Sequence, residues 1–247
     1  MTVRDIYDFL NTYCPYELAA DWDNPGLNVG HFDREVTKVL LAMDATEGAI
    51  KAAEGCQLLI THHPLIFSPE KQVNSETATG RHILSLAERG IAHIACHTNL
   101  DAAEGGVNTC LAACCGMEQA ELFCGIGRMG AVETTLTALA ERLKKELPAQ
   151  ICLGVKAHEA VHTVAVVGGS GGSLLEDAAR LGCDTFVTGE AKYSHYLLAK
   201  ELGINLLVLG HYETEYIALP PLAAALKKQF PALEVCVLPY QSPMESL

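Results

Sequence analysis

Several things are scarce in this chain of 247 residues, and each scarcity closes a class of function. Basic residues are few: 17 Lys and Arg stand against 30 Asp and Glu, a net charge of −13. Such a surface repels a phosphate backbone, which argues against a nucleic-acid-binding protein. Aromatic residues make up only 6% of the chain, too few for a run of stacking platforms along a single strand. No apolar run reaches the ~20 residues that span a bilayer, so no membrane association is expected. The ten cysteines include no CxxC pair, which removes the commonest zinc and redox motifs. The opening "MTVRDIYDFLNTY" is charged and amphipathic, unlike a secretory leader. Together these features predict a cytoplasmic protein with buried, reduced thiols acting as small hydrophobes. Cys110, Cys114 and Cys115 share a helical stretch but have no nearby histidine pair, and they make a weak case for a soft metal.

Hydrophobic residues, 49% of the chain, are plentiful enough for a large core. Their pattern predicts strands alternating with helices of ~10–15 residues, hence βαβ units and mostly parallel sheets. Helices are expected over 2–13, 46–55, 77–90, 104–116, 133–147, 174–182, 191–203 and 222–231. Strands are expected in "VTKVLLAMD", "CQLLITHHP", "IAHIACHTNLD", "VHTVAVVGG", "CDTFVTGE", "INLLVLGHYETE" and "ALEVCVLPY". Two α/β clusters emerge, near 36–115 and 150–215. The expected division is one lobe of residues 1–125 plus 212–247 and a second of residues 126–211, the last strand returning to the first sheet.

Three apolar strands exit into metal-ligand residue types. The first delivers His62 and His63, the second His97 and Asp101, the third His211 and Glu215. In a parallel sheet the carboxyl ends share one edge, where ligands bind. Adjacent His62 and His63 point to different sides of an extended chain, so the pair can serve two metals. His211 and Glu215, four apart, share a face of a helical turn, and the carboxylate can bridge. Imidazole with carboxylate suits Zn, Fe, Mn, Co or Ni, and the lack of thiolates argues against a purely structural zinc. Each segment alone is more often a solvated loop or a chance pair; it is the coincidence of three that points to metal. His31, His82, His158 and His162 lack this context and read as surface or satisfied residues.

Other strand exits carry two readings each. "VVGGSGGSLLEDAA" fits a tight strand-to-helix turn better than a phosphate cradle. "TGEAKYSH" places Glu190, Lys192, Tyr193 and His195 either along a cleft or at a helix cap. Asp44 sits well to face the site, but capping the following helix explains it nearly as well. The "WDNPGL" loop is equally ambiguous.

The segments "DWDNPGLNVG", "THHPLIF", "CHTNLDAAEGGVN", "VVGGSGGS", "TGEAKYSH" and "GHYETE", in this order and spanning nearly the whole chain, resemble the Nif-three-like proteins, also called GTP cyclohydrolase type-two homologues. That resemblance implies two interlinked three-layer α/β lobes, a dinuclear metal centre and a ring-shaped homohexamer. It implies that His63, Asp101 and Glu215 hold one ion, and that His62, His211 and the shared Glu215 hold the other. His97 would be an extra ligand or a supporting residue. The stretch between "CGIGRMG" and the strand near 162 is too short for the extra domain of longer members.

The reading favoured is a metal-dependent hydrolase acting on a small molecule. A nucleotide such as GTP is suggested by the family name, and a phosphoester fits the chemistry equally well. His97 and Glu190 are the candidate proton carriers. The alternative is a metal-binding hexameric interaction or regulatory protein without turnover of its own.

Overall fold

A computed structural model describes residues 1–149 and 151–244. The elements run α1 Val3–Tyr13, β1 Gly26–Val29, β2 Lys38–Ala42, α2 Glu47–Ala52, β3 Leu58–Thr61, α3 Ala78–Arg89, β4 Ala92–Ala95 and α4 Thr98–Ala102. Next come α5 Val107–Cys115, β5 Glu121–Phe123, β6 Gly127–Thr135, α6 Leu136–Glu146, β7 Leu153–Val155 and β8 Ala160–Val167. The chain continues through α7 Leu175–Arg180, β9 Thr185–Thr188, α8 Tyr193–Leu202, β10 Asn205–Val208 and α9 His211–Tyr216, and ends with α10 Leu219–Gln229 and β11 Glu234–Val237. It divides into two compact units: Met1–Glu104 with Leu219–Pro239, and Gly105–Ala218 with Tyr240–Leu247.

The first unit is built on a five-stranded sheet of order β1-β4-β3-β2-β11. Strands β2, β3, β4 and β11 run parallel, and β1 lies antiparallel on the β4 edge. The four residues of β3 and the four of β4 are all buried, as expected for parallel strands covered on both faces. Leu40, Ile50, Leu59, Leu86 and Ile91 form a core cluster on this sheet. Burying each such side chain contributes about 1.5–3 kcal/mol. Threonines start the flanking helices. Thr46 accepts the Ala49 N–H at 3.2 Å, and Thr77 accepts that of Gly80 at 3.0 Å, caps worth about 1 kcal/mol each. Helix α3 ends at Gly90, whose φ of 64° is left-handed.

The second unit carries a six-stranded sheet of order β5-β6-β8-β9-β10-β7. Its centre, β8-β9-β10, is parallel; β6 and β7 flank it antiparallel. One face buries Leu111, Leu139, Leu143 and Val164, the other Phe123, Leu175, Phe186 and Leu206.

Two expectations are corrected here. The stretch 127–135 is a nine-residue strand, whereas the sequence pattern places the start of a helix at 133. Thr135 ends the strand and then caps α6 through the Ala138 N–H at 3.2 Å, so the helix begins only at Leu136. Two glycines and a first half without a β-branched residue hide this strand from periodicity. The second difference is the unit boundary. Leu111, Ala112 and Cys115 of α5 belong to the second unit's core, so the division falls after Glu104 rather than at 125, and Glu215 lies in the second unit. Among the described residues, no helix is long and apolar enough to cross a membrane.

Candidate functional site

Strand register in the first unit assembles its site. Ala42 pairs with Thr61, and Thr61 with Ala95, so three parallel strands end level. The level ending continues one step further: His62 N–H donates to Ala42 O at 3.2 Å, His63 N–H to Met43 O at 3.0 Å, and Cys96 N–H to Thr61 O at 2.9 Å. Asp44, His62, His63 and His97 therefore leave the sheet at one edge. Ring centroids of the three histidines lie 4.9–5.5 Å apart. One ligand nitrogen from each falls within 4.8 Å of the others. Asp101, one turn beyond His97 in α4, brings Oδ1 to 3.6 Å from His62 Nε2.

Each of the three rings has its Nδ1 engaged by an acceptor. His62 Nδ1 donates to Cys96 O at 2.9 Å, His63 Nδ1 to Asp44 Oδ1 at 2.8 Å, and His97 Nδ1 to Asp23 Oδ1 at 2.8 Å. A proton on Nδ1 leaves the lone pair on Nε2, and metal-binding histidines are held in this way. The donor set, three imidazoles with a carboxylate beside them, can hold a divalent transition ion.

These supports separate the two readings of Asp44. Helix α2 is capped by Thr46, and Asp44 orients His63 instead. Asp23, in the "WDNPGL" loop, is the residue sequence reading missed. Its buried carboxylate accepts from His97 Nδ1, from the Thr98 N–H at 3.0 Å and from the Thr98 hydroxyl. Burial alone would raise the Asp23 carboxyl, but the His97 and Thr98 bonds outweigh it and hold the pKa down to about 2. The loop stands out in the sequence, but nothing local ties this aspartate to His97, 74 positions away. Beneath the site, His93 Nε2 donates to the Thr61 hydroxyl at 2.7 Å, and that hydroxyl donates to His63 O at 2.6 Å. Burial lowers the His93 pKa to about 3, so it stays neutral and fixes the strand exit.

The second unit repeats the logic. Val167 and Val208 both pair with Thr188. Beyond them, Glu190 N–H donates to Gly169 O at 2.8 Å and Gly210 N–H to Gly189 O at 3.0 Å. His211, the first residue of α9, lies between two carboxylates: Glu190 Oε2 at 3.3 Å from Nδ1 and Glu215 Oε1 at 3.1 Å from Nε2. The bond to Glu215, with its charge and that of Glu190, overcomes partial burial and raises the His211 pKa to about 9. The glycine run proves to be more than a turn. Gly169 has φ +59°, and a Cβ there would land on Glu215 Oε1 and come within 3.2 Å of His211 Nε2. Its N–H also donates to the Thr214 hydroxyl at 3.0 Å.

A cavity of about 1010 Å³ opens beside His211 within this unit, lined among others by Glu190, Lys192, His195, Tyr196 and Glu213. Its size suits a small-molecule ligand. Both readings of "TGEAKYSH" hold in part: Glu190 and Lys192 line the cavity, and His195 Nδ1 accepts the Lys192 N–H at the start of α8 at 3.1 Å. His162 is exposed, with Glu133 beside it. All ten cysteines are free thiols, and Cys14, Cys56, Cys96, Cys115 and Cys183 are buried.

The family model described as Duf34/NIF3 (NGG1p interacting factor 3) matches residues 1–243. A Clostridium perfringens protein named GTP cyclohydrolase 1 type 2 homolog is 33% identical over 93% of this chain and 92% of its own length. A Helicobacter pylori protein named GTP cyclohydrolase 1 type 2 is 31% identical over 86% of each. The crystal structure of the Staphylococcus aureus hypothetical protein SA1388 superposes with a TM-score of 0.91 at 28% identity, covering 100% of this chain and 99% of that one. On the strength of the whole-chain match and these relatives, the chain belongs to the DUF34/NIF3 family.

Proposed function

We propose that this chain is a metal-dependent hydrolase acting on a nucleotide, with His62, His63, Asp101, His211 and Glu215 together holding a pair of divalent ions. The observation that carries the metal reading is the pair His62 and His63, whose Nδ1 atoms are both committed to acceptors, with Asp101 Oδ1 3.6 Å from His62 Nε2. A pair of divalent ions would supply Lewis acidity and electrostatic stabilisation of a developing anion. The chain's own residues then have separable roles. Asp44 and Asp23 fix the tautomers of His63 and His97. Glu190 holds the His211 ring through Nδ1. His97 and Glu190 are the groups proposed to move protons: Asp23 orients His97, and Glu190 lies 3.3 Å from His211 at the cavity. The cavity beside His211 gives a small substrate room to bind.

The nucleotide, and GTP in particular, is suggested by the names of the relatives. A homohexamer is the proposed assembly, and gel filtration at six times the chain mass is its check. The test of function is turnover of GTP, and of a panel of nucleotide phosphoesters, by protein reconstituted with Zn, Mn, Fe, Co or Ni. Metal-dependent turnover abolished in Glu215→Ala supports the proposal. Tight metal binding with no turnover of any nucleotide favours the second reading, a non-catalytic metal-binding partner. That reading draws on the family description as an interacting factor.

A further inference from the structure

Two aromatic residues of the first unit are displayed rather than buried, and both stand at its histidine cluster. Trp22, the single tryptophan, is 61% exposed, and Phe67 is 54% exposed. Their ring centroids are 5.7 Å apart, and each meets His97 edge-on, at 6.0 and 6.2 Å. Exposed rings on independent loops would be unremarkable. These loops are tied down. Asp23, next to Trp22, is bonded to His97 and Thr98. The Ala20 N–H donates to Thr98 Oγ1 at 2.9 Å. Asn24 Nδ2 donates to Ile66 O at 2.6 Å, and the Ile66 N–H donates to Asn28 Oδ1 at 3.4 Å. Leu65, two residues before Phe67, packs on the core of the sheet. The same bonds that orient His97 thus hold an aromatic surface beside it.

We infer that Trp22 and Phe67 form a stacking platform for the planar heteroaromatic ring of the substrate, placing the ring's edge at His97. The inference rests on the proposed nucleotide substrate and adds where its base is held. Chemistry and geometry agree on the occupant. Indole and phenyl faces attract flat π-systems in offset or edge contacts with centroids ~4.5–7 Å apart. A preordered pair loses little side-chain freedom on binding. The net charge of −13 disfavours a polyanionic strand on this surface but not one base carried by a mononucleotide.

Because Trp22 is the only tryptophan, its emission reports on this place alone. The experiment titrates zinc-loaded protein with guanosine, GTP and ribose 5-phosphate, following Trp22 fluorescence and, in parallel, heat. Trp22→Leu, Trp22→Phe and Phe67→Leu are compared, with zinc content measured in each. The expected result is saturable quenching by guanosine and GTP but not by ribose 5-phosphate. Trp22→Leu should weaken calorimetric GTP binding roughly ten- to hundred-fold, with zinc content unchanged and Trp22→Phe largely restoring affinity. Three results overturn the inference. GTP binding by calorimetry with unaltered emission and unaltered affinity in Trp22→Leu puts the ring elsewhere and leaves the nucleotide reading intact. No heat from GTP or guanosine in the wild type removes both. Emission that depends on protein concentration, with a smaller assembly in Trp22→Leu, makes the patch a contact between copies of the chain.

Discussion

Asp23 offers a sharp test of how the site is built, because the same chemical deletion at Asp44 provides its control. Asp23→Ala removes a fully buried carboxylate from three donors: His97 Nδ1, the Thr98 N–H and the Thr98 hydroxyl. At about 1 kcal/mol net per bond, the loss is about 3 kcal/mol. Asp44 is 44% exposed and makes one bond to the site, to His63. Water replaces it there, so Asp44→Ala should cost under about 1 kcal/mol. Asp44→Ala frees the ring of His63, a proposed ligand, and should lose about 10–100-fold in metal affinity, whereas Asp23→Ala frees His97, a proposed proton carrier, and should leave metal affinity largely unchanged. Urea unfolding of the metal-free protein, followed by Trp22 emission, reads the unit that contains both residues. With a slope of about 2 kcal/mol per molar, Asp23→Ala should lower the midpoint by about 1.5 M and Asp44→Ala by under about 0.5 M. Equal shifts, or unchanged metal affinity in Asp44→Ala, would refute the reasoning.

Other consequences are equally direct. Gly169→Ala places a methyl group on Glu215 Oε1 in a left-handed backbone, and metal bound per chain should fall along with melting temperature. Thr61→Val strips the hydroxyl linking His93 to His63 O and should destabilise the chain by about 1–3 kcal/mol, read by denaturation. For His211, the folded pKa of about 9 exceeds the usual 6.5. Its carboxylate contacts therefore stabilise the metal-free protein fully below pH 6.5, and this contribution is lost as pH rises through about 9. Thermal melts of metal-free protein across that window should show the decline, and Glu190→Gln should reduce it.

The parts of the fold legible in sequence were those with strong local signals. Buried strands such as "LLIT" and "NLLV" announce themselves by composition, and their exits carried His62, His63, His97, His211 and Glu215 in plain view. The i, i+4 spacing of His211 and Glu215 correctly implied a helical turn. What escaped was fixed by partners distant in sequence. Strand β6 is specified by pairing with β8 more than by its own residues. Helix α5 follows the first unit directly in sequence but packs in the second unit's core. Asp23 acts on His97 across 74 positions, and no spacing rule connects a loop aspartate with a strand exit that far away. Asp44 was visible but ambiguous, because Thr46 two residues later competes for the helix cap and takes it.

The central claim is that five side chains, His62, His63, Asp101, His211 and Glu215, hold a pair of divalent ions. Anomalous diffraction from crystals grown with zinc, recorded on either side of the metal's absorption edge, tests it most directly. The account predicts two anomalous peaks per chain, both within bonding distance of these side chains. A single peak, or peaks bound to cysteines or surface carboxylates with the five residues bare, would contradict it.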